Sequence, residues 1–145
     1  STSSRMYQNL IEKQPEQIFM VANAEHYQFK DGNNFFIQAN FKPEKKDIAI
    51  KLVKEEISNL INNKISEEEL EKAKKKIKSR FAYAAETVSE IGETIGYYMT
   101  VCEDLKLIED YLKDLDAITI SDLENIVKKY LNINNAVISI LEPEK

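Results

Sequence analysis

A chain of 145 residues with a formal net charge of −5 and a pI near 5.1 is long enough for one domain with a real core. It has the wrong charge for a nucleic-acid or anionic-membrane partner, whose affinity comes from clustered Lys and Arg. A single cysteine, Cys102, excludes an internal disulfide and any cysteine-rich metal site, and a single histidine, His26, excludes any site built on paired histidines within the chain. No apolar run approaches the ~20 residues of a transmembrane helix, and no basic region followed by an apolar one opens the chain, so the expected compartment is the cytoplasm.

In chain order, Ser3 or Ser4 is placed to cap a short helix running to about Lys13, with Met6, Tyr7, Leu10 and Ile11 on its apolar side. Ile18 to Tyr27 (IFMVANAEHY) and Asn33 to Lys42 (NNFFIQANFK) read as two strands of an antiparallel hairpin with a slightly long connection at Asp31-Gly32. Pro43 and Glu44 suit the first turn of a helix carrying Ile48, Leu52, Val53, Ile57, Leu60 and Ile61. Asn62, Asn63 and Lys64 interrupt it.

The clearest helix start follows. Ser66 and Glu69 have the spacing of a capping box, and Ile65 can staple onto Leu70. From Leu70 through Ala73, Ile77, Phe81, Ala84, Val88, Ile91, Ile95, Tyr98 and Cys102, apolar residues recur in steps of three and four, which predicts one buried stripe. Thr87 with Glu90, and the helix-weakening Gly92 and Gly96, predict a break near residues 86–89.

Asp104 to Leu115 carries Leu105, Ile108, Tyr111, Leu112 and Leu115 on one face, and Thr119 with Asp122 opens a further helix to about Leu131, with Ser121 and Glu124 as a competing cap. Ala136 to Leu141 (AVISIL) reads as a closing strand, and Pro143 ends the domain. The expectation is a single α+β domain over residues 1–145, an antiparallel sheet of three strands packed against a layer of five to six helices. Three strands are thin cover for so many helices. Either the sheet receives strands from elsewhere or the chain is a fragment.

None of the polar clusters reads as chemistry. His26 lies late in a strand beside Glu25, and Cys102 sits on the apolar stripe with nothing to lower its pKa. The carboxylates of Glu67, Glu68, Glu69 and Glu71 fan out around a helix in 100° steps and do not converge on a cation. Lys74, Lys75, Lys76, Lys78 and Arg80 follow those acids at i to i+4 spacing and read as a solvated face. Gly92 and Gly96 lack the Lys and Ser/Thr of a phosphate loop and suit close helix packing. Tyr97, Tyr98, Tyr111 and Tyr130 read as core with a polar tip.

Four stretches in register resemble the carboxy-terminal subdomain of the insulinase/pitrilysin-type zinc metallopeptidases, the family of mitochondrial processing peptidase. Ser4-Arg5-Met6-Tyr7-Gln8-Asn9-Leu10 is similar to the family's Ser-Arg-Leu-Tyr/Phe-x-x-Leu helix, and Ser66 to Lys74 (SEEELEKAK) to its (S/T)-x-E-E-L-x-x-A-K segment. Ile118 to Leu123 (ITISDL), followed by Lys129-Tyr130-Leu131, resembles Val-Thr-x-x-Asp-Val. Val137 to Pro143 resembles the closing strand and its Pro.

The resemblance implies the second subdomain of one half of a clamshell peptidase, in a parent about three times this length or more. Its zinc motif, an inverted His-x-x-Glu-His, belongs to the first subdomain, so this chain carries no metal ligand and no cofactor, and zinc belongs to the parent. The half without zinc usually offers an Arg and, seven residues on, a Tyr to substrate. Here Ile11 stands at the Arg, and Ile18, or Phe19 with a one-residue shift, at the Tyr. No catalytic, substrate-binding or metal-binding residue carries over.

The expected function is therefore a structural, substrate-chamber subdomain of a zinc-dependent metalloendopeptidase acting on peptides or unfolded proteins, inactive in isolation. Its expected partners are the rest of its own half, the homologous second half and, in the parent, a peptide, with no nucleic acid and no membrane. The alternative is a non-catalytic homologue that acts as an assembly subunit through the helix from Ile65 to Cys102.

Overall fold

The computed structural model describes residue 2, residues 4–62 and residues 65–142. Ser3, Asn63, Lys64 and Pro143, to which the sequence assigns a cap, a helix break and the end of the domain, lie outside the described residues. The fold is α+β, and the chain gathers into two compact units: Ser1–Gln28, Gly32–Lys64 and Ile126–Lys145 form the first, Phe29–Asp31 and Ile65–Asn125 the second.

In the first unit Ser4 caps α1 (Arg5–Tyr7), its hydroxyl accepting from the Tyr7 amide at 3.3 Å, and the chain runs on as a π-helical turn over Gln8–Glu12. β1 (Phe19–Phe29) and β2 (Gly32–Phe41) form an antiparallel two-stranded sheet. The connection is two residues, Lys30 and Asp31, and not the longer one expected, because both strands keep pairing up to the turn. One 3₁₀ turn, Pro43–Lys45, leads into α2 (Lys46–Asn62), as Pro43 requires of a helix start.

The core of this unit lies where the base of the hairpin meets these helices. Phe19, 1% exposed, meets Phe41 edge-on at 6.3 Å between ring centroids. Leu10, Ile18, Ala22 and Ala49 are buried beside it, ringed by Met6, Ile11, Ala39, Leu52 and Val53. Burial of this apolar surface, at about 25 cal/mol per Å², is the main force holding the hairpin base to α2.

One carboxylate sits within that packing. Glu56 of α2 is 8% exposed, and the Asn9 side-chain amide donates to both of its oxygens, at 3.1 and 2.9 Å. Lys13 Nζ donates in turn to Asn9 Oδ1 at 3.0 Å. A buried carboxylate is tolerated because it is hydrogen-bonded.

The expected closing strand does not form among the described residues. Residues 136–142 are irregular and lack a ladder partner, and Val137 and Leu141 stand 95% and 99% exposed. A strand exists only where a neighbour satisfies its amides and carbonyls, and here the sheet stops at two strands. An ion pair of Lys46 with Glu142, 2.7 Å, holds this segment to the start of α2.

The second unit is helical. α3 (Glu67–Tyr83) begins with the full capping box: the Glu69 amide donates to Ser66 Oγ at 3.2 Å and the Ser66 amide to the Glu69 carboxylate at 3.1 Å. The break falls over residues 84–87, and Thr87 caps α4 (Val88–Tyr97), which passes into a π turn at Tyr98–Cys102. Glu103 follows in the left-handed region at φ 57°, and its carboxylate pairs with Lys30. α5 (Lys106–Ala117) and α6 (Ile120–Tyr130) complete the unit, the latter continuing into the first.

α3 and α5 pack together. Phe81 stacks on Tyr111 at 5.0 Å and 14°, while Leu70 and Leu115 are buried. Lys74, expected on the wet face, is 8% exposed, and its ammonium donates to the Asp116 carbonyl at 3.0 Å near the end of α5. A cation there satisfies a carbonyl that the helix leaves unpaired. Lys78 pairs with the Asp116 carboxylate at 2.6 Å.

The long buried stripe is corrected accordingly. Ala73 is exposed while Lys74 turns inward, and past the break Val88, Ile91 and Ile95 are 88%, 41% and 42% exposed. The periodicity is real, but α4 restarts at its own cap, so its apolar face no longer continues that of α3. Tyr130 is exposed as well, with Lys129 Nζ over its ring at 4.9 Å.

Three outcomes are expected. Ser66→Ala loses one side of the capping box and lowers unfolding free energy by ~1 kcal/mol in urea titrations followed by circular dichroism. Asn9→Ala strands the Glu56 carboxylate and costs about 1–3 kcal/mol in the same assay; the double variant with Glu56→Leu regains much of it, because no buried charge is left unmatched.

The third concerns pH. The Thr119 hydroxyl and amide both donate to the Asp122 carboxylate, and these bonds hold its pKa below the ordinary Asp value. A depressed folded pKa gives stability that is present above the unfolded value of about 3.9 and is lost as pH falls below it. Asp122→Asn should flatten the acid limb of a stability–pH curve between about pH 5 and pH 2; an unchanged limb would refute the link.

Candidate functional site

The groups able to do chemistry are scattered. His26 is exposed on β1. Its neighbour Glu25 accepts from the Asn23 side chain at 2.6 Å and the Tyr27 hydroxyl at 2.7 Å, and the bond to Glu25 raises the Tyr27 pKa. Cys102 is half-buried at the end of the π turn, where burial first and then its contact with Cys102 raise the Tyr97 pKa. Burial also raises Tyr98, with Tyr111 close by.

The acidic run is exposed, and Glu69 is engaged in the Ser66 cap. Among the described residues no three His, Cys, Asp or Glu side chains converge as a metal site requires. The described residues therefore form no zinc-binding set by themselves.

Ile11 packs against the core of the first unit, Ile18 is buried in it, and Phe19 more deeply still. Side chains at these positions point into apolar packing. They offer no polar atom to a peptide and serve the hairpin base instead.

What the chain presents to its surroundings is apolar surface. On the hairpin, Tyr27 and Phe36 meet edge-on at 5.5 Å yet remain about half exposed, with Phe29 and Phe35 beside them in sequence. On α4 and its π turn, Val88, Ile91, Ile95 and Met99 face outward.

A shallow hollow lies where Ile140 and Leu141 cross Phe41 and Pro43, closed by the Lys46–Glu142 pair, whose hydrogen bond raises the Lys46 pKa. Its charged lining is that ion pair, and the rest is apolar.

The burial of Glu56 follows from a sequence signal that is easy to overlook. Glu56 lies on the same 3–4 spacing as Ala49, Leu52, Val53 and Leu60, so its burial was written into the stripe of α2. The outward turn of α4 carries no local mark, because periodicity reports that a face exists and not what covers it.

Comparison with known proteins follows from this geometry. The family described as the peptidase M16 inactive domain matches residues 1–77, more than half of the chain. No curated protein matches. A protease from Helicobacter pylori has the same fold, with a TM-score of 0.77 and 24% identity over 91% of this chain and 32% of its own. The periplasmic protease PqqL from Escherichia coli is similar at a TM-score of 0.72 and 17% identity, over 86% of this chain and 14% of its own.

The chain thus spans about a third of the length of the first protease and about a seventh of the second. Among the described residues no helix is long and apolar enough to cross a membrane. PqqL is described as periplasmic, so it lends the expected cytoplasmic compartment no support. With residues 1–77, more than half its length, matched to that domain, the chain belongs to the peptidase M16 family.

Proposed function

We propose that residues 1–145 form a non-catalytic second subdomain of one half of a zinc-dependent metalloendopeptidase, which helps to wall the chamber for a peptide or unfolded protein and is inactive alone. The observation that carries this reading is the match of residues 1–77 to an M16 domain described as inactive, in a chain whose described residues bring together no metal ligands. The zinc and its general base then belong to another part of the parent. This chain's own work is shape: α2, α3 and α5 supply rigid walls, and the hairpin carries an open sheet edge toward further strands.

The apolar packing of Ile11 and Ile18 supports, within this reading, a half that does not grip substrate through an Arg and a Tyr. It is either the zinc-bearing half or a degenerate partner. A second reading, a non-catalytic assembly subunit, draws on the outward apolar face of α4.

The test uses the complete reading frame and the isolated chain side by side. The complete protein, with its homologous half, should hold one zinc per active half and cleave an unstructured peptide until a chelator is added. The isolated chain should do neither. Stoichiometric zinc on the isolated chain, or chelator-sensitive cleavage by it, overturns the assignment of roles; a zinc-free, inactive complete protein favours the assembly reading.

A further inference from the structure

α4 is amphipathic in the wrong direction for a helix that only has its own unit to pack on. At 100° per residue, Val88, Ile91, Gly92, Ile95 and Gly96 fall within an arc of about 140°, and Val88, Ile91 and Ile95 are exposed. Thr94, Tyr97 and Tyr98, on the remaining arc, are the residues the unit covers in part. The helix therefore turns its polar-tipped side inward and its apolar side out.

The two glycines sharpen this. A Cβ built at Gly92 or at Gly96 meets nothing within 4 Å, so neither glycine is needed for any packing inside the chain. Each weakens the helix relative to alanine. One turn apart on the apolar face, they leave a shallow trough into which another helix can settle closely.

The charges around the trough select its occupant. Between Phe81 and Leu105 there is no Lys or Arg, and of the acids in that stretch Glu93 is the one beside the face, about 60° beyond Gly96; Glu90 lies on the opposite side of the helix and Glu103 pairs with Lys30. A second copy of the same face would bring a second Glu93 to an already acidic border, and like charges across an interface are costly.

We propose that the outward face of α4 docks an amphipathic helix from the remainder of the parent protein, one whose apolar stripe is bordered by Lys or Arg. The source rests on the M16 reading in one respect: the similar protease from Helicobacter pylori is about three times as long as this chain, so most of such a parent lies outside it. Charge complementarity and the open glycine trough supply the rest.

The experiment is thiol accessibility in the complete protein carrying Cys102→Ser and Ile95→Cys. Maleimide labelling at position 95 should run at least tenfold slower than in the same protein unfolded in guanidinium chloride. Adding Glu93→Lys should speed it several-fold by repelling the basic border, and Gly92→Leu should do so by filling the trough, with circular dichroism confirming that each variant is folded. Labelling as fast as in the unfolded protein overturns the proposal. So does a rate indifferent to Glu93→Lys, or protection lost on dilution, which marks a second copy as the occupant. Zinc content and peptidase activity of the same preparation report separately on the proposed peptidase role: protection without zinc or activity favours the assembly reading and leaves the docking face standing.

Discussion

Apolar surface that the chain cannot cover by itself is the constraint on which the rest depends. A body of this size ordinarily buries about 70% of the surface its unfolded chain exposes. Here the buried apolar residues are few, Leu10, Ile18, Phe19, Ala22 and Ala49 in one unit and Leu70 and Leu115 in the other. Each unit has a small nucleus where side chains interlock, and each carries apolar residues past it into water. A two-stranded ribbon with aromatic residues out to its far end is marginal without a third strand or a helix on its face. The hairpin from Phe19 to Phe41 is such a ribbon over most of its length.

Where the nuclei exist, polar groups hold them together in a particular register. Glu56 and Asn9 join α2 to the first helical turn, and Lys74 joins α3 to the end of α5. Neither contact adds much net energy, since a buried charge loses water before it gains a partner. Their effect is to make any other register worse. A slip of α2 by one residue would carry the Glu56 carboxylate away from the Asn9 amide and strand it among apolar side chains. Both pairs are closed within one unit, so each unit is specified internally even though its apolar surface is incomplete.

What was legible in the sequence divides along the same line. Caps are decided within four residues, so Ser66 with Glu69, Thr87, and Thr119 with Asp122 were readable, and so was the helix break, while the choice of Thr119 over the competing Ser121 came from the structure. The hairpin was readable because turn and strands are neighbours in sequence. The closing strand was not: Val137 to Leu141 has strand composition, but a strand is a relation to a neighbour, and the described residues supply none. The stripe running on through α4 failed for a related reason. Ile91 and Ile95 have the spacing of core residues, and only three-dimensional context decides that they stand exposed on their unit.

The same reasoning locates the chemistry by elimination. Ile18 is buried in the nucleus at the base of the hairpin and Ile11 packs against it, so a guanidinium or a phenol at either position would have to leave that packing. His26 and Cys102 lie on different elements, one on β1 and one at the end of the π turn after α4, and neither has gathered ligands or a base around it. Among the described residues the carboxylates form no metal-ligating cluster, because metal binding needs convergence and helices that begin with capped acidic turns spread their carboxylates apart. What does gather on the surface of this M16 domain is apolar: the aromatic residues of the hairpin and the outward side of α4, each exposed to water at a cost that burial elsewhere in its unit has to offset.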